Sequence, residues 1–72
     1  MAKITEKDLR LARKIHKIRK EKGWTQEKLA ERVGVSTTYI GYIEIGARIP
    51  NLKMIYKIAN ALGVKVKDIF PF

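Results

Sequence analysis

The sequence predicts an all-α fold, a compact bundle of five short helices, on three observations. Apolar residues recur at intervals of three and four almost from end to end. Good helix-capping side chains stand before the apolar runs, and glycines stand after them. The only alternating stretch, Val64-Lys65-Val66-Lys67, has no second stretch to pair with and reads as a loop, because a lone short strand is not stable.

The first helix is expected over about residues 5–22. Leu11, Ile15 and Ile18 share one face, Thr5 and Asp8 are spaced as a capping box, and Gly23 is a natural stop. A second helix, over about residues 25–33, starts at Thr25, carries Leu29, Ala30 and Val33 on one stripe, and closes at Gly34. Ser36 caps a third over about residues 36–44, with Ile40 and Ile43 inward. Asn51 caps a fourth over about residues 51–62, where Leu52, Ile55, Ile58, Ala59 and Leu62 form the stripe that ends before Gly63. A last turn is expected over about residues 67–70.

At 72 residues the chain is read as one domain, with no room for a catalytic unit beside a binding unit. With no cysteine, neither a disulfide framework nor a Cys-based zinc site is available, so an apolar core must supply the stability. Its 16 Lys and Arg against 7 Asp and Glu give a formal net charge of +9, yet 46% hydrophobic content is too high for a disordered basic tail. The polar N-terminus shows no signal peptide, and the longest uncharged run, Val33 to Ile43, is far short of a membrane span. A cytoplasmic protein with no membrane partner is the expectation.

The second and third helices are separated by only Gly34-Val35-Ser36, too few residues for side-by-side antiparallel packing. They must cross steeply, with Ala30 small enough for the contact, Gly34 making the turn, and Val35, Ile40 and Ile43 filling the angle. That is the design of a helix-turn-helix, whose second helix enters the major groove. At 100° per residue from the Ile40–Ile43 direction, Thr38, Gly41, Tyr42 and Ile45 point away from the core, with Thr37 beside them. Hydroxyls and methyl groups on this face suit base edges and thymine methyls, and Gly41 permits close approach.

These residues resemble the Cro/C1-type helix-turn-helix domains of the XRE family. The resemblance runs through Ile18-Arg19, the stretch Gly23 to Ser36, Tyr39 to Glu44, Gly46, Pro50, and Ile58 to Val64, and it covers about residues 11–70. It implies a lambda-repressor-like DNA-binding fold and a homodimer on a near-palindromic operator. By the same resemblance Gln26 and Ser36 fall at phosphate contacts, Thr37, Thr38 and Tyr42 at base-reading positions, and Arg19 with Glu44 at a partly buried ion pair. Where the family commonly has a basic or polar residue after the glutamate, this chain has Ile45. Small controller proteins of restriction-modification systems are the most similar subfamily, with prophage repressors and antitoxins close behind.

Other side chains have two readings. Tyr39 lies nearer the buried side, where packing alone and packing with its hydroxyl at a phosphate are equally compatible. Arg48, in the loop after the third helix, is either a phosphate contact or solvated. Trp24 reads as a core lid, and His16 as a solvated side chain rather than a metal ligand. The apolar surplus at Val64, Val66, Ile69, Phe70 and Phe72, with the far side of the fourth helix, is the expected dimer surface. An enzyme is not expected: Ser36 and His16 are the only pair available for nucleophilic catalysis, and Ser36 is occupied as a cap. No cofactor, metal or small-molecule ligand is expected. The rival class is a basic helical adaptor for protein or membrane, which leaves the pattern from Gln26 to Ile45 unexplained.

Overall fold

Residues 5–70 are described by a computed structural model in which the caps fall where the side-chain chemistry puts them. The helices are α1 (Glu6–Glu21), α2 (Gln26–Val33), α3 (Thr37–Glu44), α4 (Leu52–Leu62) and α5 (Val66–Ile69). Each of the first four begins with a side chain accepting the backbone N–H three residues on: Thr5 from Asp8 at 3.1 Å, Thr25 from Lys28 at 3.0 Å, Ser36 from Tyr39 at 3.0 Å and Asn51 from Met54 at 2.8 Å. At α1 the Asp8 carboxylate returns the bond to the Thr5 N–H, completing the capping box. α5 starts one residue earlier than the sequence suggests, because Asp68 accepts the backbone N–H of Lys65 at 2.9 Å.

The helices close around one apolar core. Ile15, Leu29, Ile40, Ile43, Ile58, Leu62 and Ile69 are the large side chains most completely removed from water, and every helix contributes to them. α2 packs on α3 and α4, α1 on α3 and α5, and α5 on α4. The Cα radius of gyration, 11.0 Å, is about what a close-packed chain of this length adopts. Among the described residues no helix is long and apolar enough to cross a membrane.

Within the C-terminal segment, Ile69 departs from the expected partner surface. Ile69 is fully buried, and Val64, Val66 and Phe70 pack against the core while remaining partly accessible. The single turn of α5 packs against both α1 and α4 and buries Ile69 in the core. Phe72 lies outside the described residues. The large apolar side chains that do remain exposed are elsewhere: Tyr42 and Ile45 at α3, and Ile49, Leu52 and Tyr56 along the loop and outer face leading into α4.

Ile69→Ala is therefore expected to cost about 2–5 kcal/mol, a loss on the order of 10 °C or more in Tm. Leu52→Ala is expected to stay within about 0.5 kcal/mol in the isolated chain. Thermal unfolding followed by circular dichroism checks both, and a neutral Ile69→Ala would return the C-terminal turn to the surface.

Candidate nucleic-acid interface

The turn between α2 and α3 fixes how the third helix is presented. Gly34 adopts φ 87°, the left-handed region, and the N–H groups of Gly34 and Val35 both return to the Ala30 carbonyl, at 2.8 and 3.0 Å. Ser36 then caps α3 at once, so the chain passes from α2 into α3 within three residues. Ile40 and Ile43 are buried to 0% and 1% exposure, and that pins the opposite face outward. Thr37 and Thr38 are exposed, Tyr42 is 47% and Ile45 67% exposed, as the helical periodicity predicts. Between them Gly41 lies under the Gln26 side chain, and a Cβ there would sit 3.5 Å from Gln26 Oε1, an ordinary contact.

Glu44 is the one charged residue of α3 and it is buried. Arg19 Nε donates to Glu44 Oε2 at 2.6 Å and Arg19 Nη2 to Oε1 at 3.0 Å, a bidentate pair. Arg19 Nη1 also donates to the Trp24 carbonyl at 2.5 Å, tying the α1–α2 turn to the same guanidinium. Gln26 Nε2 donates to Glu44 Oε1 at 3.2 Å, so the amide at the start of α2 is oriented by a residue at the end of α3. The ion pair expected from the resemblance is thus present, and it holds Gln26 as well.

His16 corrects its sequence reading. Its side chain is half exposed, but Nδ1 lies 2.7 Å from Glu44 Oε1, which makes it a member of the cluster rather than a solvated bystander. The usable signal was its spacing: His16 and Arg19 stand three apart on α1 and share a face. Burial pushes the Glu44 carboxyl up. The hydrogen bonds from Arg19, His16 and Gln26 and the Arg19 charge outweigh burial and hold it below its ordinary value of 4.5.

The remaining candidates form the rim. Arg48 sits 5.8 Å from the centroid of the Tyr39 ring, so the two residues with open readings are brought together beside α3. Ser36 spends its hydroxyl oxygen on the cap. Trp24 packs partly against the core, and Lys22, Lys28 and Arg32 approach its ring to between 5.1 and 5.7 Å. Beside the neutral face of α3 thus lie Arg48, over the Tyr39 ring, and a cleft lined by Arg13, His16, Gln26, Glu44 and Ile45.

A steeply turned α2–α3 pair with an uncharged outward face inside a five-helix bundle defines a DNA-binding helix-turn-helix protein. The chain belongs to the helix-turn-helix family HTH_3, which matches residues 15–69 and consists of DNA-binding transcription regulators. It is 44% identical over 59 residues to an uncharacterised HTH-type transcriptional regulator of Archaeoglobus fulgidus, covering 82% of this chain and 83% of that one. Over 48 residues it is 50% identical to another from Methanocaldococcus jannaschii, covering 67% and 73%. Among solved structures it is similar to the restriction-modification controller protein C.AhdI from Aeromonas hydrophila, with TM-score 0.84, 32% identity and coverage of 86% of this chain and 94% of that one. The controller C.Esp1396I gives TM-score 0.85 at 34% identity, covering 93% and 87%.

Because the folded Glu44 pKa lies below its unfolded value, its contribution to stability is fully present above about pH 4.5 and is lost as pH falls through the lower folded value. Glu44→Gln leaves Arg19 buried without a counter-charge and is expected to cost about 3–5 kcal/mol at neutral pH. Denaturant unfolding across the acid range should also show a shallower pH dependence in the variant than in the wild type.

Proposed function

We propose that the protein is a cytoplasmic, homodimeric, sequence-specific regulator of transcription that inserts α3 of each protomer into successive major grooves of a near-palindromic operator, about 34 Å apart. The observation that carries this reading is the exposed neutral face of α3, held at a fixed angle by the turn at Gly34 and by the buried Glu44 cluster. Thr37, Thr38 and Tyr42 are the base-reading residues in this scheme. Gln26, Ser36, Tyr39 and Arg48 face the phosphates on either side of the groove. Ile45 extends the reading face with an apolar surface suited to thymine methyls and sugars.

No Arg or Lys lies on α3, so the bidentate guanine contact that dominates many operators is not available from this helix. Discrimination then rests on methyl groups, hydroxyls and DNA shape, and one copy contacts too little DNA for it. A second copy supplies the rest. Ile49, Leu52 and Tyr56, each about half exposed or more on the α4 side, form the self-complementary patch in this proposal, in place of the C-terminal residues. The match to controller proteins over nearly their full length supports a restriction-modification controller as the biological setting.

Selection from random duplexes should enrich a motif with two-fold symmetry, and a flat outcome would leave only non-specific binding. Thr37→Ala, Thr38→Ala and Tyr42→Ala should each change the preferred bases at about 1–3 kcal/mol per contact. Gln26→Ala should instead weaken all duplexes alike. Gly41→Ala separates fold from function, since it should stabilise the free protein by up to about 1 kcal/mol while weakening DNA binding.

Sedimentation over a concentration series tests the second copy. Leu52→Glu should shift the protein to monomer and remove cooperative binding to the two half-sites without lowering Tm of the monomer. A wild type that stays monomeric on its operator would rule the dimer out.

A further inference from the structure

We propose that the cleft between α1, the start of α2 and the end of α3 is a subsite for a DNA backbone phosphate in which His16 binds as the imidazolium, so that DNA binding takes up a proton. This deepens the DNA-binding reading and rests on it. Arg13, His16, Gln26 and Ile45 line the cleft above the Glu44 carboxylate. Gln26 and Ile45 also border the proposed reading face, which places the cleft where the backbone flanking the groove would run.

The tautomer follows from the hydrogen bonds. Glu44 is ionised and can only accept, so the proton in the 2.7 Å contact with His16 sits on Nδ1. Arg19 Nη2, 3.3 Å from the same nitrogen, cannot then donate to it and is engaged by Glu44 Oε1. In the neutral ring the remaining nitrogen, Nε2, carries a lone pair and makes no hydrogen bond among the described residues. A phosphate oxygen placed there would meet a lone pair. Protonation converts Nε2 to a donor and adds a charge to a side chain that is 49% exposed on the cleft.

The charged groups around His16 favour this. Arg13 and Arg19 come from its own helix, Glu44 comes from α3, and α2 contributes the uncharged Gln26. The Glu44 charge is already satisfied by Arg19, so the carboxylate beneath the cleft does not leave it anionic. With Arg13 at the rim, the site carries a net positive charge that grows when His16 is protonated and matches a phosphodiester.

A single histidine in the sequence makes the test clean. Affinity for a selected duplex and for a scrambled duplex of equal length is measured by fluorescence anisotropy at constant ionic strength. Between about pH 6 and pH 7.5, wild-type binding to both duplexes should weaken by about three- to fivefold per protomer. His16→Gln should lose this dependence and bind at all pH values like the wild type at high pH, while His16→Lys, a permanent cation, should bind pH-independently and tightly. Circular dichroism confirms that each variant is folded. NMR titration of the wild-type imidazole should show it losing its proton at higher pH in the complex than in the free protein, a readout that needs no variant. Equal pH dependence in wild type and His16→Gln, or an imidazole titration unchanged by DNA, would overturn the subsite while leaving DNA binding intact. Failure to bind any duplex at pH 6 would remove the DNA-binding reading and the subsite with it.

Discussion

The Glu44 carboxylate is the constraint on which the rest of the arrangement depends. It sits at the end of α3, accepts two bonds from Arg19 and one each from His16 and Gln26, and so joins three helices at one buried point. A buried ion pair is weak evidence for net stability, because desolvating both charges cancels much of their attraction. Its effect is on geometry. Ile40 and Ile43 bury α3 in the apolar core, and apolar attraction, being non-directional, tolerates small rolls and slides of the helix. A bidentate guanidinium–carboxylate pair does not, since its hydrogen bonds weaken steeply with misalignment. Apolar burial of Ile40 and Ile43 therefore chooses which face of α3 points outward, and the ion pair fixes its rotation more finely.

Charge and specificity are separated in space. Residues 1–22 carry nine basic and three acidic side chains, whereas Val33 to Ile43 carries none of either. The basic part attracts any duplex and makes binding steeply salt-dependent. In the proposed scheme the neutral part reads sequence through hydroxyls, methyl groups and close approach. A strongly basic reading helix would add affinity for every sequence equally and would narrow the margin between operator and bulk DNA.

Features determined within three or four residues of chain were legible in the sequence. Thr5, Thr25, Ser36 and Asn51 all cap as their chemistry and spacing predict, and Gly34 makes the predicted turn. The outward positions of Thr37, Thr38, Tyr42 and Ile45 followed from helical geometry once two buried isoleucines were identified. Features that need knowledge of what lies across the bundle were not legible. The one local trace of the His16 contact is its three-residue spacing from Arg19, because its partner Glu44 is 28 residues away. Ile69 was misassigned for the same reason: a hydrophobic residue after the last long helix suits a partner surface or a core position, and only the packing of α5 against α1 and α4 decides.

Two apolar sets remain exposed among the described residues, and both bear on self-association. Tyr42 and Ile45 belong to the α3 face, while Ile49, Leu52 and Tyr56 run along the approach to α4 and its outer side. Joined into one patch, such side chains would promote non-specific association. Here a net charge of +9 keeps copies apart at long range, so self-association has to be geometrically specific to prevail. DNA changes that balance. In the proposed dimer, two copies on adjacent half-sites would have their mutual repulsion screened by the phosphates between them, and the α4 patches would be held near one another at high effective concentration. On that proposal the same charge that opposes dimerisation in free solution couples dimerisation to the operator. Specificity would then arise from two neutral reading faces acting together rather than from the affinity of either alone.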